Sequence, residues 1–413
     1  MKKASIISVG NELLGGQIVN TNAAYLGRQL LSMGIPTVSC YTVGDEVDLI
    51  VETLSWAAGQ ADIVLVTGGL GPTDDDVTRQ GLAKFMGVEL EFRSELLRQI
   101  SEFFTGRDLK MAEKNKIQAY IPAGARALAN NLGTAPGIMA EYGGKIFVCL
   151  PGVPSEMKEM FAESIVEKLG QSGEGQVVVI IRKLHCFGTG ESVIAEKLGD
   201  LMRRGRNPVI NCTVSGGVIT LHIVATAKDK SGADEMIEKD RSELREILGD
   251  LVYGEDEQTL AEVVGAKLRE RKETLAVAES CTGGLIGKLL TDVPGSSDYF
   301  TCGWVTYSNE AKVRELGVDK GLIEKHGAVS EEAACAMAKG AREKAGTDFG
   351  IGVTGIAGPG GGSKQKPIGL VYIVVDAVGQ RDVQRYIFSH LREHIRLRAS
   401  LAALNMLRLR LQI

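Results

Sequence analysis

The sequence predicts an α/β protein with two three-layer α/β domains, their sheets mainly parallel, joined by a small α+β connector domain. Three observations carry this. Short β-branched apolar runs alternate with stretches whose apolar residues recur at helical spacing, a rhythm that builds parallel sheets covered on both faces. The rhythm occurs twice, and a different pattern, two β-rich runs around a Gly-containing turn, lies between. At 413 residues the chain suits two or three domains of roughly 150 residues each. The expected boundaries are 1–170, 171–253 and 254–413.

In the first segment, "ASIISV" (Ala4 to Val9), Ile35 to Val43 and Asp62 to Gly69 read as strands bounded by Gly or Pro. Between them Tyr25, Leu26 and Leu30, then Leu49, Ile50 and Leu54, mark helices over Asn22 to Leu31 and Glu46 to Ala58. "KIFVCLPGVP" (Lys145 to Pro154) adds a strand, and Met157, Phe161 and Ile165 add a helix. "GQSGEGQ" (Gly170 to Gln176) reads as a linker. The middle segment has a strand in "VVVIIRKLHCFG", a helix over Ser192 to Met202, a hairpin turning at Ser215 to Gly217, and a helix over Gly232 to Leu248. The third opens with a helix over Thr259 to Arg271, the strand "TLAVA", a turn at Ser280, and a helix striped by Leu285, Ile286, Leu289 and Leu290. It continues with the strand Trp304 to Ser308, a helix after Ser330, strands Phe349 to Val353 and "GLVYIVVDAV", and a closing helix carrying Leu397, Leu401 and Leu404.

A hydrophobic share of 44% and a charged share of 24% are ordinary for soluble globular protein. A net charge of −5 provides no basic field for a nucleic-acid backbone, which leaves nucleic acid a minor hypothesis. The basic cluster "MRRGRNP" (Met202 to Pro208) reads as a solvated loop before a binding patch. Seven cysteines, odd in number and without C-x-x-C spacing, argue against a disulfide framework or zinc knuckle. The apolar run near the start is too short for a signal segment, and no apolar stretch is long enough for a membrane helix; a cytoplasmic protein without a membrane partner is expected.

"TGGLGPTDDDVT" (Thr67 to Thr78) follows a strand and leads into a helix, the place where open α/β sheets bind ligands. Gly68, Gly69 and Gly71 allow close backbone approach to a phosphate, with helix N–H groups beyond. Asp74, Asp75 and Asp76 would repel that phosphate unless a divalent cation bridged them, and Glu12 in "GNELLGG" can reach the same crevice. The alternative is an acidic first helical turn complementing the helix dipole.

"VGNELLGGQIVNTN", "VTGGLGPTDDDVT" and "LPGVPSEM" together resemble the N-terminal half of the CinA family (competence/damage-inducible protein A), itself similar to molybdopterin-binding domains. The resemblance implies ADP-ribose hydrolysis to AMP and ribose 5-phosphate with a divalent metal, Mg²⁺, Mn²⁺ or Co²⁺. It implies substrate contacts at Gly68, Gly69, Gly71, Thr73, Gly152, Pro154 and Ser155, and metal contacts at Asp74, Asp75, Asp76 and Glu12. The three adjacent carboxylates replace the more mixed chemistry of the pterin-binding motif.

In "AVAESCTGG" (Ala276 to Gly284), Ser280 lies between a strand and a helix, where backbone N–H groups can stabilise a developing oxyanion. A serine needs a base to become a nucleophile. His326, His390 and His394 adjoin no Gly-rich loop, so a Ser-His-Asp triad has little support. "VTYSNEAK" (Val305 to Lys312) offers Tyr307 at a strand end, Asn309 as a helix cap and Lys312 in the first turn. Partial desolvation would lower the lysine toward a usable base. Read alone, Lys312 is more readily a surface lysine and Tyr307 a packed sheet aromatic. "GVTGIAGPGGG" (Gly352 to Gly362) leaves bare backbone for an anion, with the Thr354 hydroxyl as a donor.

"AESCTGG", "GSS", "VTYSNEAK", "GAVS" and "GVTGIAGPGGG", in this order, resemble the C-terminal domain of the CinA family, found alone as the nicotinamide mononucleotide (NMN) amidase PncC. The resemblance implies Ser280 as nucleophile, Lys312 as base and Tyr307 as assisting hydroxyl, with no cofactor. Glu279, Cys281, Thr282, Gly283, Gly284, Thr354, Gly355, Ala357 and Gly358 would contact the substrate, the phosphate lying on Thr354 to Gly358. Family resemblance further implies a homodimer acting on NMN and ADP-ribose in pyridine-nucleotide salvage. The rival is a nucleotide- or pterin-binding regulatory protein in which only the C-terminal domain, or neither, is catalytic.

Overall fold

The computed structural model describes residues 2–170, 177–389 and 391–412. The linker expected at Gly170 to Gln176 and His390 therefore lie, apart from Gly170 at a helix end, outside the described residues. The chain forms two compact units, Met1–Ile180 with Thr226–Asp234, and Ile181–Ala225 with Glu235–Ile413.

The first unit holds strands β1 (Ala4–Val9), β2 (Thr37–Val43), β3 (Ile63–Thr67), β4 (Leu90–Phe92), β5 (Tyr120–Pro122), β6 (Arg126–Leu128), β7 (Gly137–Tyr142) and β8 (Lys145–Leu150). Six of them form one sheet in the order β2-β1-β3-β8-β7-β6, parallel from β2 to β8 and antiparallel beyond. Alternate residues feed opposite faces, as the two-residue strand period requires. Ile7, Val9, Val64, Val66 and Phe147 pack with Ile50, Leu54 and Leu82 on one side. Ala4, Ile6, Ile63, Leu65 and Val148 pack with Leu26, Leu30, Met157 and Phe161 on the other. Helices Thr21–Ser32 and Val47–Gln60 close to the expected bounds thus cover a sheet buried on both faces.

Next come β9 (Val178–Cys186), β10 (Val209–Ser215), β11 (Val218–Ala227) and β12 (Val252–Glu255), in the order β10-β11-β9-β12. The expected hairpin closes at Gly216 and Gly217, pairing Ser215 with Val218.

The last sheet comprises β13 (Leu275–Glu279), β14 (Phe300–Val305), β15 (Phe349–Gly355), β16 (Leu370–Ala377) and β17 (Gln380–Ile387), in the order β14-β13-β15-β16-β17. Its first three strands are parallel and the last two antiparallel. Leu275, Val277, Ile351, Val353, Val371 and Ile373 pack under helices Leu260–Arg271, Leu285–Thr291 and Arg392–Arg410. The opposite face is built from small residues because helix Glu331–Ala345 lies against it: a Cβ on Gly350 or Gly352 would stand 2.2 Å from Ala338 O or 2.4 Å from Ala334 O. The seven cysteines are free thiols. No helix among the described residues is long and apolar enough to cross a membrane.

Candidate active site

Strand register brings the first set of residues together. Glu279 at the end of β13 pairs with Val305 of β14 on one flank and Val353 of β15 on the other. The next residues, Ser280, Thr306 and Thr354, therefore meet at the carboxyl edge of the parallel strands. The Ser280 N–H donates to Val353 O at 3.0 Å and the Thr306 N–H to Glu279 O at 2.8 Å, which pins that level.

Lys312 comes from the helix Asn309–Leu316 that follows β14. The strand ends at Val305, so Tyr307 lies beyond it, and Ser308 rather than Asn309 caps the helix by accepting from the Ala311 N–H at 3.1 Å. Helical side chains lean toward the N-terminus, which carries the lysine back to the sheet edge. Its Nζ donates to Ser280 Oγ at 3.1 Å, Thr306 O at 2.7 Å and Tyr307 O at 3.4 Å. Lys312 is 1% exposed and Ser280 8%. Burial lowers the Lys312 amine from its ordinary 10.5, with Cys281 and Glu310 opposing the shift.

A cavity of about 190 Å³ opens over the pair, lined by Ser280, Cys281, Tyr307, Lys312, Gly355 and Arg392 among others. Burial pushes the Cys281 thiol up to about 12, so it stays protonated and is no competing nucleophile. Tyr307 stands at the exposed lip, its hydroxyl accepting from Arg392 Nη2 at 2.9 Å rather than meeting Ser280 or Lys312. Thr354 and Ala357 also line the cavity, but the Thr354 hydroxyl donates to Ala328 O at 2.7 Å.

Several expected contacts do other work. Glu279 is buried and its carboxylate accepts from the Ile286 and Gly287 N–H groups at 3.1 and 2.8 Å, capping the helix behind the nucleophile turn. Thr282 is fully buried with its hydroxyl unpartnered, and its carbonyl accepts from Arg396 Nε and Nη2 at 3.1 and 2.7 Å. Gly283 and Gly284 form the turn without lining the cavity, and the Gly358 carbonyl accepts from Arg392 Nη1 at 2.6 Å. The sequence reading missed Arg392 and Arg396, which lie one turn apart on the closing helix.

In the first unit a cavity of about 620 Å³ is lined by Gly68, Gly69, Gly71, Thr73, Asp75, Asp76, Glu12, Gly152 and Pro154 with further residues. Gly68 has φ +98° and a Cβ there would lie 2.2 Å from Val9 O, so this turn requires glycine. The buried Arg79 holds the loop from behind, donating to the carbonyls of Leu70 and Gly71. Desolvation lowers its guanidinium to about 10. Asp45, at the end of β2, joins the lining; burial, Glu12, Asp75 and Asp76 raise its carboxyl while the Asn11 N–H lowers it. Asp45 had a signal in its place just past a strand end.

Not every residue expected here arrives. Ser155 does not line the cavity, and Asp74 turns to Lys114 at 3.1 Å. Asp76 accepts from the Gly71 and Thr73 N–H groups at 2.7 and 2.9 Å and from the Thr73 hydroxyl, so it braces the loop. Among the described residues no three His, Cys, Asp or Glu side chains converge as a metal site. The expected set of Glu12, Asp74, Asp75 and Asp76 does not fit a metal held by protein alone.

The class defined here is an α/β protein with a buried serine–lysine pair at the carboxyl edge of parallel strands. Three family models match: the probable molybdopterin binding domain at 5–171, the damage-inducible protein CinA KH domain at 181–254 and the CinA C-terminal domain at 257–411. CinA-like proteins of Dictyoglomus thermophilum and Dictyoglomus turgidum are each 44% identical over 98% of both chains. The chain belongs to the CinA family. A crystal structure of the protein CinA from Thermoplasma acidophilum is 38% identical, covering 40% of this chain and 96% of that one, with a TM-score of 0.38.

Proposed function

We propose that the C-terminal domain hydrolyses the carboxamide of nicotinamide mononucleotide, giving nicotinate mononucleotide and ammonia. The contact between Lys312 Nζ and Ser280 Oγ at 3.1 Å carries this reading. With Lys312 neutral the same contact runs the other way, the serine O–H donating to the amine lone pair. Ser280 Oγ attacks the carboxamide carbon while Lys312 takes its proton. The oxyanion faces the backbone N–H groups of the turn after Ser280. Lys312 then protonates the departing nitrogen, the C–N bond breaks, and ammonia leaves an ester on Ser280. Water, deprotonated by Lys312, attacks that ester, and the serine recovers its proton as the carboxylate departs. Tyr307, held by Arg392, orders the lip of the pocket.

A second reading concerns the first unit, where the large cavity with its glycine turn favours a phosphate-bearing ligand, ADP-ribose, cleaved to AMP and ribose 5-phosphate. Ammonia release from NMN by wild type and Ser280→Ala tests the first reading. AMP formation from ADP-ribose with and without Mg²⁺, Mn²⁺ or Co²⁺ tests the second. Absence of both products would favour a binding role.

A further inference from the structure

We propose that Lys366 is a positioning residue whose amine ties together two walls of the Ser280 cavity and so fixes the slot between them before a carboxamide enters. The reaction it serves rests on the amidase reading. One wall is the turn carrying Ala328 and Val329, between the helices Lys320–His326 and Glu331–Ala345. The other is the end of β15 and the glycine loop beyond it, with Thr354, Gly355 and Ala357. Residues 359–365 of that loop are exposed, whereas Lys366 is half-buried and turns back toward the first wall. Its Nζ donates to His326 O at 2.8 Å and to Val329 O at 2.7 Å.

Lys366 is held at its own end as well, its N–H donating to Ser363 Oγ at 3.0 Å and its carbonyl accepting from the Ser363 N–H at 2.8 Å. The two carbonyls between its acceptors are also engaged: Gly327 O accepts from the Ser330 hydroxyl at 2.8 Å and Ala328 O from the Thr354 hydroxyl at 2.7 Å. Three of these four bonds run between the walls, and Lys366 supplies two of the three. A charged donor on a carbonyl is a stronger restraint than a neutral hydroxyl. Among the described residues no carboxylate lies within 4.0 Å of the amine, so the two carbonyls are what holds it. Gly327 admits it: the residue has φ +82°, and a Cβ there would stand 2.9 Å from Nζ. Lys366 does not itself line the cavity, so it acts through Ala328 and Val329 rather than on the substrate. Walls fixed in advance spare the bound complex the cost of ordering them.

The test compares Lys366→Met, which keeps the stem without donors, with Lys366→Arg, which keeps charge and donors. Hydrogen exchange of the ligand-free full chain is followed in peptides covering 323–331 and 355–363, with urea unfolding alongside. Lys366→Met should speed exchange in both peptides by roughly 10-fold, beyond any change in overall stability, and Lys366→Arg should restore protection. In ammonia release from NMN, Lys366→Met should raise KM by roughly 10-fold while kcat changes less than about threefold, with most of the loss recovered in Lys366→Arg. A lysine that only supports the fold would lower kcat through loss of folded protein at constant KM, and that result would overturn the proposal. Unchanged exchange in both peptides would overturn it whatever the substrate. If exchange responds to Lys366 but wild type releases no ammonia from NMN, the amidase reading fails and the clamp stands; if ammonia is released and KM ignores Lys366, the reverse holds.

Discussion

Replacing Lys312 by Met keeps the stem and removes the amine. Three hydrogen bonds go with it, to Ser280 Oγ, Thr306 O and Tyr307 O. General base catalysis is worth about 10²- to 10⁴-fold, so kcat/KM for NMN should fall by that factor, about 2.7 to 5.4 kcal/mol of activation free energy. In wild type the rate should rise with pH through a Lys312 value below 10.5, because burial disfavours the ammonium. The same shift has a stability consequence. Between the lowered native value and 10.5 the unfolded chain binds more protons than the native one, so stability rises with pH across that window and this contribution vanishes in Lys312→Met. Ammonia release against pH, with urea unfolding at each pH, measures both. A Lys312→Met protein with wild-type kcat/KM, or a basic limb at the ordinary lysine value, would refute the reasoning.

Other outcomes follow from the same contacts. Glu279→Ala strands two N–H groups beneath the nucleophile turn and should cost about 1 to 3 kcal/mol in urea unfolding while lowering kcat. Arg396→Ala frees the Thr282 carbonyl and should reduce kcat with little change in KM, since it touches the turn and not the cavity. Gly68→Ala forces a Cβ to 2.2 Å from Val9 O at positive φ and should cost at least about 1 to 3 kcal/mol, read in thermal unfolding. Asp76→Ala removes the brace on Gly71 and Thr73, so ligand binding in the first cavity should weaken beyond any loss of overall stability.

The sequence was most legible where burial imposes a period. β1 falls on Ala4–Val9 as read because both faces of a central parallel strand are apolar. β17, "QRDVQRYI", is a largely solvated edge strand and shows no apolar run to read. Ser280 stood out through a small turn after a strand, whereas Lys312 read alone was a surface lysine and was singled out by the family resemblance. Arg392 and Arg396 did not stand out, since they reach partners between 34 and 114 residues away and look like any helical arginine. Glu279 was misplaced for a related reason. The resemblance implied a substrate contact for it beside Ser280, but strand alternation turns neighbouring side chains to opposite faces, and the carboxylate goes to the helix N–H groups. The acidic triplet shows the same limit: one side chain binds Lys114, and another braces its own loop.

The most direct measurement is acid quenching of the full chain during turnover of NMN, followed by mass analysis of the peptide containing Ser280. The account expects a nicotinoyl-nucleotide ester on Ser280 that decays as nicotinate mononucleotide appears and is absent from Ser280→Ala. Steady ammonia release at wild-type rate by Ser280→Ala, with that peptide unmodified at every quench time in the wild type, would contradict it.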